Sequence, residues 1–319
     1  MTKKDLPPRS SWPGTATVSG VSGLHYGLIL PNYGALLDAE GLAAAAVAAE
    51  EAGFDSGWVT DHVLVPAEHA PVYGNIAEAL VSVGFLAGRT RRLRLGVSAL
   101  IVPQRHPLVA LKQLASLDFL SGGRIVTAVA AGWMEGEFRT LGADFEHRGR
   151  LTNDWLELAA SAFAQMPGRV EHHGGFPVED GWLSPALVRP GGPELWVAGV
   201  SQATLRRAAR TGVWHPVALP PEKLRRMASE FRNLRPGGRV VLRIGAYFAP
   251  EPKRIPADER GRHAIVGPSE WIAERLVEYV EEGCDGFVLN LDHENRGLEE
   301  RVQRFAEEVR PLVGAAEGP

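Results

Sequence analysis

Short runs rich in Val, Ile, Leu and aromatic residues recur along the chain. Each is followed by a longer stretch whose apolar positions return about every three to four residues. The first pattern predicts strands covered on both faces, the second amphipathic helices. Their alternation predicts a parallel sheet joined by crossover helices. Strands are expected at 25–30, 54–59, 93–97, 125–129, 195–197, 213–217, 240–248 and 286–291. Helices are expected over 38–52 and 75–88, from Pro107 onward, and over 151–164, 201–211, 221–235, 268–282 and 297–313. Asp38 is placed to cap the first helix, and Pro107 suits the opening turn of the third. The stretches 133–150 and 169–193 show no clear period, and 250–266 reads as a polar, Pro-rich linker.

Eight strand–helix pairs point to a closed (β/α)8 barrel with insertions, an α/β fold, rather than to an open sheet. One barrel domain is expected over 23–314. It follows a flexible leader at 1–22, rich in Ser, Pro, Gly and Thr, and precedes a short tail at 315–319. The aperiodic stretch 169–193 is a candidate lid or dimer element. In closed barrels chemistry sits at the C-terminal ends of the strands, so the residues after each strand are the candidates.

Composition narrows the function classes. With 45% hydrophobic and 23% charged residues, the 319-residue chain can bury a large core and remain soluble. The net charge of -4 and the absence of a basic stripe argue against nucleic acid; the densest basic run, 89–94, reads as a solvated turn. No apolar run reaches the ~20 residues of a membrane span. The single cysteine, Cys284, cannot form an internal disulfide, and its use suits a reducing, cytoplasmic setting. No metal-ligand spacing is present, His172-His173 being a poor pair for shared ligation. Phosphate-loop, nucleophile-elbow and dinucleotide motifs are absent too.

The strand ends carry the candidate chemistry. His62 follows the second strand in Trp58-Val59-Thr60-Asp61-His62 and is a candidate for proton transfer. A rim residue that only forms hydrogen bonds is the plainer reading. Asp61 cannot orient that ring, because neighbours in an extended segment face opposite ways; it is expected to hold loop backbone. Arg105 and His106, before Pro107, are expected to pair with Asp118 or other carboxylates, with anion binding as the alternative. Ala131-Gly132-Trp133 places small residues at the rim after the fourth strand, where Trp133 and Glu135 are candidates to line one pocket. Gly199-Val200-Ser201 opens a helix after the fifth strand. Backbone N–H groups, a helix dipole and a hydroxyl converge there, as an anion site requires, although Ser201 serves equally as a simple cap.

Several blocks together resemble the luciferase-like monooxygenase superfamily, in particular its coenzyme F420-dependent oxidoreductases. They are Trp58 to Val63, Pro103-Gln104-Arg105-His106-Pro107, Lys112 with Leu117 to Arg124, and Ala131-Gly132-Trp133. Glu137-Phe138, Gly142, Arg148-Gly149-Arg150-Leu151 and Leu195 to Ser201 complete the match. The resemblance implies a barrel with an isoalloxazine-like ring at its C-terminal mouth. It implies His62 as the proton donor or acceptor, and a non-proline cis peptide at Ser98-Ala99 that buttresses the ring. Gly132-Trp133 would lie beside the cofactor and Gly199-Val200-Ser201 would bind its phosphate. The chain departs from the family pattern at Ala128-Val129-Ala130-Ala131-Gly132, at Thr211-Gly212-Val213-Trp214 and at Asn153-Asp154.

The expected activity is hydride transfer between coenzyme F420 and a small organic substrate. The alternative is a reduced-FMN monooxygenase, which would need a partner flavin reductase; a homodimer is compatible with either. A sugar-phosphate lyase or isomerase is disfavoured because Lys3, Lys4, Lys112, Lys223 and Lys253 all lie away from strand ends. An inactive barrel stays open, because a fold alone does not specify chemistry.

Overall fold

Strand alternation is resolved by a barrel in which every second residue of each strand points inward. A computed structural model describes residues 23–35, 37–172, 174–253, 263–291 and 297–315; the leader expected at 1–22 and the end of the expected tail lie outside them, as does His173. The strands are β1 (His25–Ile29), β2 (Ser56–Val59), β3 (Arg94–Ile101), β4 (Val126–Ala130), β5 (Gly168–His172), β6 (Val178–Leu183), β7 (Glu194–Ala198), β8 (Val213–His215), β9 (Arg239–Phe248), β10 (Ala264–Gly267) and β11 (Gly286–Asn290). Parallel pairing runs β9–β11–β1–β2–β3–β4–β7–β8 and returns to β9 through Val213↔Arg239 and Trp214↔Val240. That closes an eight-stranded (β/α)8 barrel.

The helices are α1 (Ala39–Glu51), α2 (Ala70–Tyr73), α3 (Ala79–Arg89), α4 (Pro107–Ser121), α5 (Glu135–Thr140), α6 (Arg148–Gln165), α7 (Gln202–Thr211), α8 (Pro221–Leu234), α9 (Ser269–Glu281), α10 (Leu298–Arg304) and α11 (Arg310–Ala315). Asp38 caps α1 by accepting the Gly41 amide at 2.7 Å. Outward strand residues such as Leu28, Val59, Leu95, Val129, Val197, Leu242 and Leu289 pack beneath the helices in one core with Leu42, Leu86, Leu114, Leu156 and Leu276. No helix among the described residues is long and apolar enough to cross a membrane.

The barrel interior is layered. At the N-terminal end Glu194 binds Arg94 and Arg239, each at 2.7 Å. Above it the indoles of Trp58 and Trp196 pack with ring centroids 4.6 Å apart, among Ile29, Val126, Val241 and Val288. Gly96 is required here: a Cβ would stand 2.0 Å from the Val126 carbonyl oxygen and 2.9 Å from the Trp58 ring. The layer at the mouth is polar and holds Thr60, Ser98, His215 and Arg243.

The structure departs from the sequence expectations in the irregular stretches. The stretch 169–193 holds nearly all of the antiparallel hairpin β5–β6; among the residues of its two strands only Val170 is buried, so no apolar alternation marks it. β10 falls in the expected linker and pairs with the end of β9. α5 occupies part of 133–150. β3 runs on to Ile101, with an irregular register against β4 between Ser98 and Leu100.

Candidate functional site

The segment just after β2 brings Asp61 and His62 to different partners. Asp61 turns toward β3, where it accepts the Ile101 amide at 2.9 Å and both Nη atoms of Arg105 at 2.8 and 2.5 Å. Arg105 also reaches Glu78 at 3.3 Å. This fork holds the loop, as the plainer reading of Arg105 expected. Its partners are Asp61 and Glu78 rather than Asp118, which accepts the amides of Val188 and Arg189.

His62 is buried. Its Nδ1 lies 2.9 Å from Oε2 of Glu137, a carboxylate that is itself only 1% exposed. The other oxygen of Glu137 accepts the Val63 amide at 2.6 Å and the Leu64 amide at 3.2 Å. Burial pushes the Glu137 carboxyl up, but the hydrogen bonds from His62 and Val63 outweigh it and hold it below its usual value. An ionised acceptor on Nδ1 fixes the proton there and leaves Nε2 as the exchanging nitrogen. Glu137 escaped the reading of strand ends because it comes from α5, distant in sequence. The available signal was Glu137-Phe138 in the matched blocks. Glu135, the acid expected at the rim, instead pairs with Arg139 on the surface.

The aromatic rim forms over this pair. Trp133 stands edge-on to His62 at 6.1 Å and to His69 at 5.1 Å, and Tyr73 packs on His62 at 4.7 Å. Gly132 makes this possible. Its φ is +85°, and a Cβ would lie 2.6 Å from the Phe138 ring and 2.7 Å from Ile101.

The Ser98–Ala99 peptide is cis, as the resemblance implied. Ser98 Oγ lies 2.9 Å from His215 Nε2, and His215 Nδ1 lies 2.6 Å from the Val241 carbonyl oxygen. The carbonyl can only accept, so Nδ1 carries hydrogen and the serine donates to Nε2. Burial lowers the His215 pKa to about 3, with Arg243 adding to the shift, so the ring is neutral. Arg243, from the middle of β9, donates to the Ser98 carbonyl and to Thr60 Oγ1. Sequence reasoning passed over His215 and Arg243; the signal was a polar residue inside each of two otherwise apolar strands.

The Gly199-Val200-Ser201 turn lies beside His215, whose carbonyl oxygen accepts the Gly199 amide at 3.4 Å. Ser201 caps α7: its hydroxyl accepts the Thr204 amide at 3.2 Å and lies 2.9 Å from Thr204 Oγ1. Val200 is exposed. The structure thus brings His62 to Trp133 directly, Ser98 to the His62 strand through Arg243 and Thr60, and Gly199 to Ser98 through His215. Cys284 is buried, and burial raises its thiol to about 12, so it takes no part in chemistry at neutral pH.

Comparison with known proteins extends these observations. Residues 23–253 match the model of the luciferase-like monooxygenases. Among curated proteins, the alkanal monooxygenase alpha chain of Photorhabdus laumondii is 28% identical over 166 residues, 51% of this chain and 44% of that one. The chain therefore spans less than half the length of such relatives. Among solved structures, an F420-dependent secondary alcohol dehydrogenase in complex with an F420-acetone adduct superposes with a TM-score of 0.75 at 17% identity, covering 91% of this chain and 99% of that one. The oxygenating constituent of 3,6-diketocamphane monooxygenase from Pseudomonas putida, in complex with FMN, gives 0.70 at 15% identity, covering 91% and 98%. Both superpositions speak to the fold. With this barrel and mouth, and with most of the chain matched by the family model, the chain belongs to the luciferase-like monooxygenase family.

Proposed function

We propose that this protein is an oxidoreductase that binds coenzyme F420 and exchanges a hydride with a small organic alcohol, carbonyl or enone. The observation that carries the reading is the His62–Glu137 pair at the end of β2. It is a proton-transfer device with a fixed tautomer, placed where barrel enzymes react. The residues present fit such a group. Ala99, Ala130, Ala131 and Gly132 leave a small-residue margin for a planar ring. At Gly199 a Cβ would stand 2.8 Å from the Thr204 hydroxyl oxygen, so the backbone there is bare where the α7 N-terminus would receive a phosphate. Ser98, Ala99, Gly132, Trp133, Gly199, Val200 and Ser201 are the residues assigned to hold the cofactor.

Bound F420 would supply two-electron hydride chemistry. In the oxidising direction His62 Nε2 accepts the hydroxyl proton of an alcohol while the Glu137 carboxylate stabilises the resulting imidazolium. In the reverse direction that imidazolium donates to the carbonyl oxygen. Trp133 and Tyr73 exclude water above the ring of His62.

The second reading is a reduced-FMN monooxygenase served by a flavin reductase, and it is favoured by the match to alkanal monooxygenase alpha chains. Titrating the protein with oxidised and reduced F420 and FMN, read by fluorescence or calorimetry, separates the two. Tight F420 binding with weak FMN binding is expected; the reverse would move the assignment to oxygen chemistry. Binding of neither would remove the cofactor and leave Ser201 a helix cap.

A further inference from the structure

The two ends of the barrel interior treat their arginines differently. At the N-terminal end Arg94 and Arg239 are both paired with the Glu194 carboxylate. At the mouth, Arg243 donates through Nη1 to the Ser98 carbonyl and, at 3.3 Å, to Ser98 Oγ, and through Nη2 to Thr60 Oγ1 at 3.1 Å. These acceptors are all neutral, and among the described residues no carboxylate pairs with it. His215 beside it is held neutral by burial. The mouth layer therefore carries an uncompensated, half-buried positive charge, which is costly unless a counter-charge arrives. Propping the Ser98–Ala99 turn calls only for neutral donors, so that role does not explain a guanidinium.

The place of the charge is informative. Thr60, which Arg243 touches, lies two residues before His62, so their backbones are at most roughly 7 Å apart. A ligand group seated on Arg243 is thus within one small molecule's length of the proton carrier.

We infer that Arg243 is the anion-recognition residue of the mouth, its guanidinium taking an anionic oxygen of the bound ligand. The inference rests on the oxidoreductase reading of this site. The anionic oxygen has two sources with one chemistry: the deprotonated pyrimidine edge of the reduced cofactor ring, or a carboxylate on the substrate. Either is a planar acceptor matched to an arginine fork.

The test uses the full chain with Arg243→Gln, which keeps donors for Ser98 and Thr60 but removes the charge, and Arg243→Lys, which keeps the charge but not the fork. Binding of oxidised and reduced F420 and FMN is measured, and binding of benzoate against benzamide. If the ring edge is the ligand, the Gln variant weakens the reduced form roughly tenfold more than the oxidised form, lowering the two-electron midpoint potential by about 30 mV, and Lys restores part of it. If a substrate carboxylate is the ligand, that ratio is unchanged while benzoate affinity falls roughly tenfold and benzamide affinity does not. Unchanged affinities for every probe would overturn the inference and leave Arg243 a prop for the turn. Should the Gln variant fail to fold, the wild-type protein decides. It must prefer the reduced cofactor over the oxidised, or benzoate over benzamide, and a preference for neither overturns the inference. A wild-type protein that binds neither cofactor but discriminates for benzoate would refute the oxidoreductase reading while upholding Arg243 as an anion site.

Discussion

His62 and Asp61 are adjacent but meet different partners, Glu137 and Arg105. Asp61 is structural: it satisfies the Ile101 amide and both arms of Arg105 inside the protein. Asp61→Asn would leave a mostly buried guanidinium short of its counter-charge, and a loss of about 3–5 kcal/mol in urea unfolding is expected. A loss under about 1 kcal/mol would mean that Glu78 alone suffices for Arg105. His62 is the proposed proton carrier. His62→Ala is expected to lower turnover by about 10²–10⁴-fold while cofactor affinity stays within about threefold. Glu137→Gln should lower turnover less and shift the pH–rate profile, because the amide neither fixes the tautomer as well nor stabilises imidazolium. If either variant lost cofactor binding in step with turnover, the pair would be holding the ring rather than moving a proton.

At the level of elements, α7 combines a structural cap with the proposed phosphate turn, and one substitution separates the roles. Ser201→Ala should cost about 1 kcal/mol of stability through the lost cap. If the turn takes phosphate, the same change weakens FMN binding severalfold but leaves phosphate-free riboflavin unaffected; equal effects on both would assign Ser201 to capping alone. The β5–β6 hairpin bears on the lid question. Its strands join the barrel at the end opposite the mouth, at the C-terminal end of α6 and the start of β7, and it lies along α6, tied through Gln165 and Glu171 and with Gly175 against Asp154. Limited proteolysis within 173–177 should therefore be unchanged by saturating cofactor. Protection would restore the hairpin as a lid.

For the whole molecule, the layered interior makes stability depend on pH. Burial, with Arg94 and Arg239 nearby, lowers the pKa of His25 to about 3, matching His215 at the other end of the barrel. Below pH 6.5 the unfolded chain protonates both rings while the folded barrel keeps them neutral. The unfolded state then binds more protons, so stability is full above pH 6.5 and is lost as pH falls toward 3. Glu194 adds a second stage. Burial raises it, but Arg94 and Arg239 prevail and hold it at about 2, so it stays ionised in the barrel while the unfolded chain protonates near pH 4.5. A fall of about 3 to 4 kcal/mol between pH 7 and pH 5 is expected from the histidines alone, measured by urea unfolding. A flat profile over that range would show that water reaches one or both rings.

Periodicity by itself determined the eight barrel strands, the major helices and the closed barrel, since burial on both faces of a strand and on one face of a helix writes itself into local composition. Strand-end position and motif matching then picked out His62, the Ser98–Ala99 turn, Gly132-Trp133 and Gly199 to Ser201. The hairpin β5–β6 was illegible because largely exposed strands need no apolar alternation, and β10, though buried from Ile265 to Gly267, because a four-residue run is too short to show a period. What only the tertiary structure decided are the partners: Glu137 for His62, Asp61 for Arg105, and Thr60 and Ser98 for Arg243. Sequence shows that a strand carries a charge, but the side of the sheet it faces, and the residue a hundred positions away that meets it, are set by register and barrel closure.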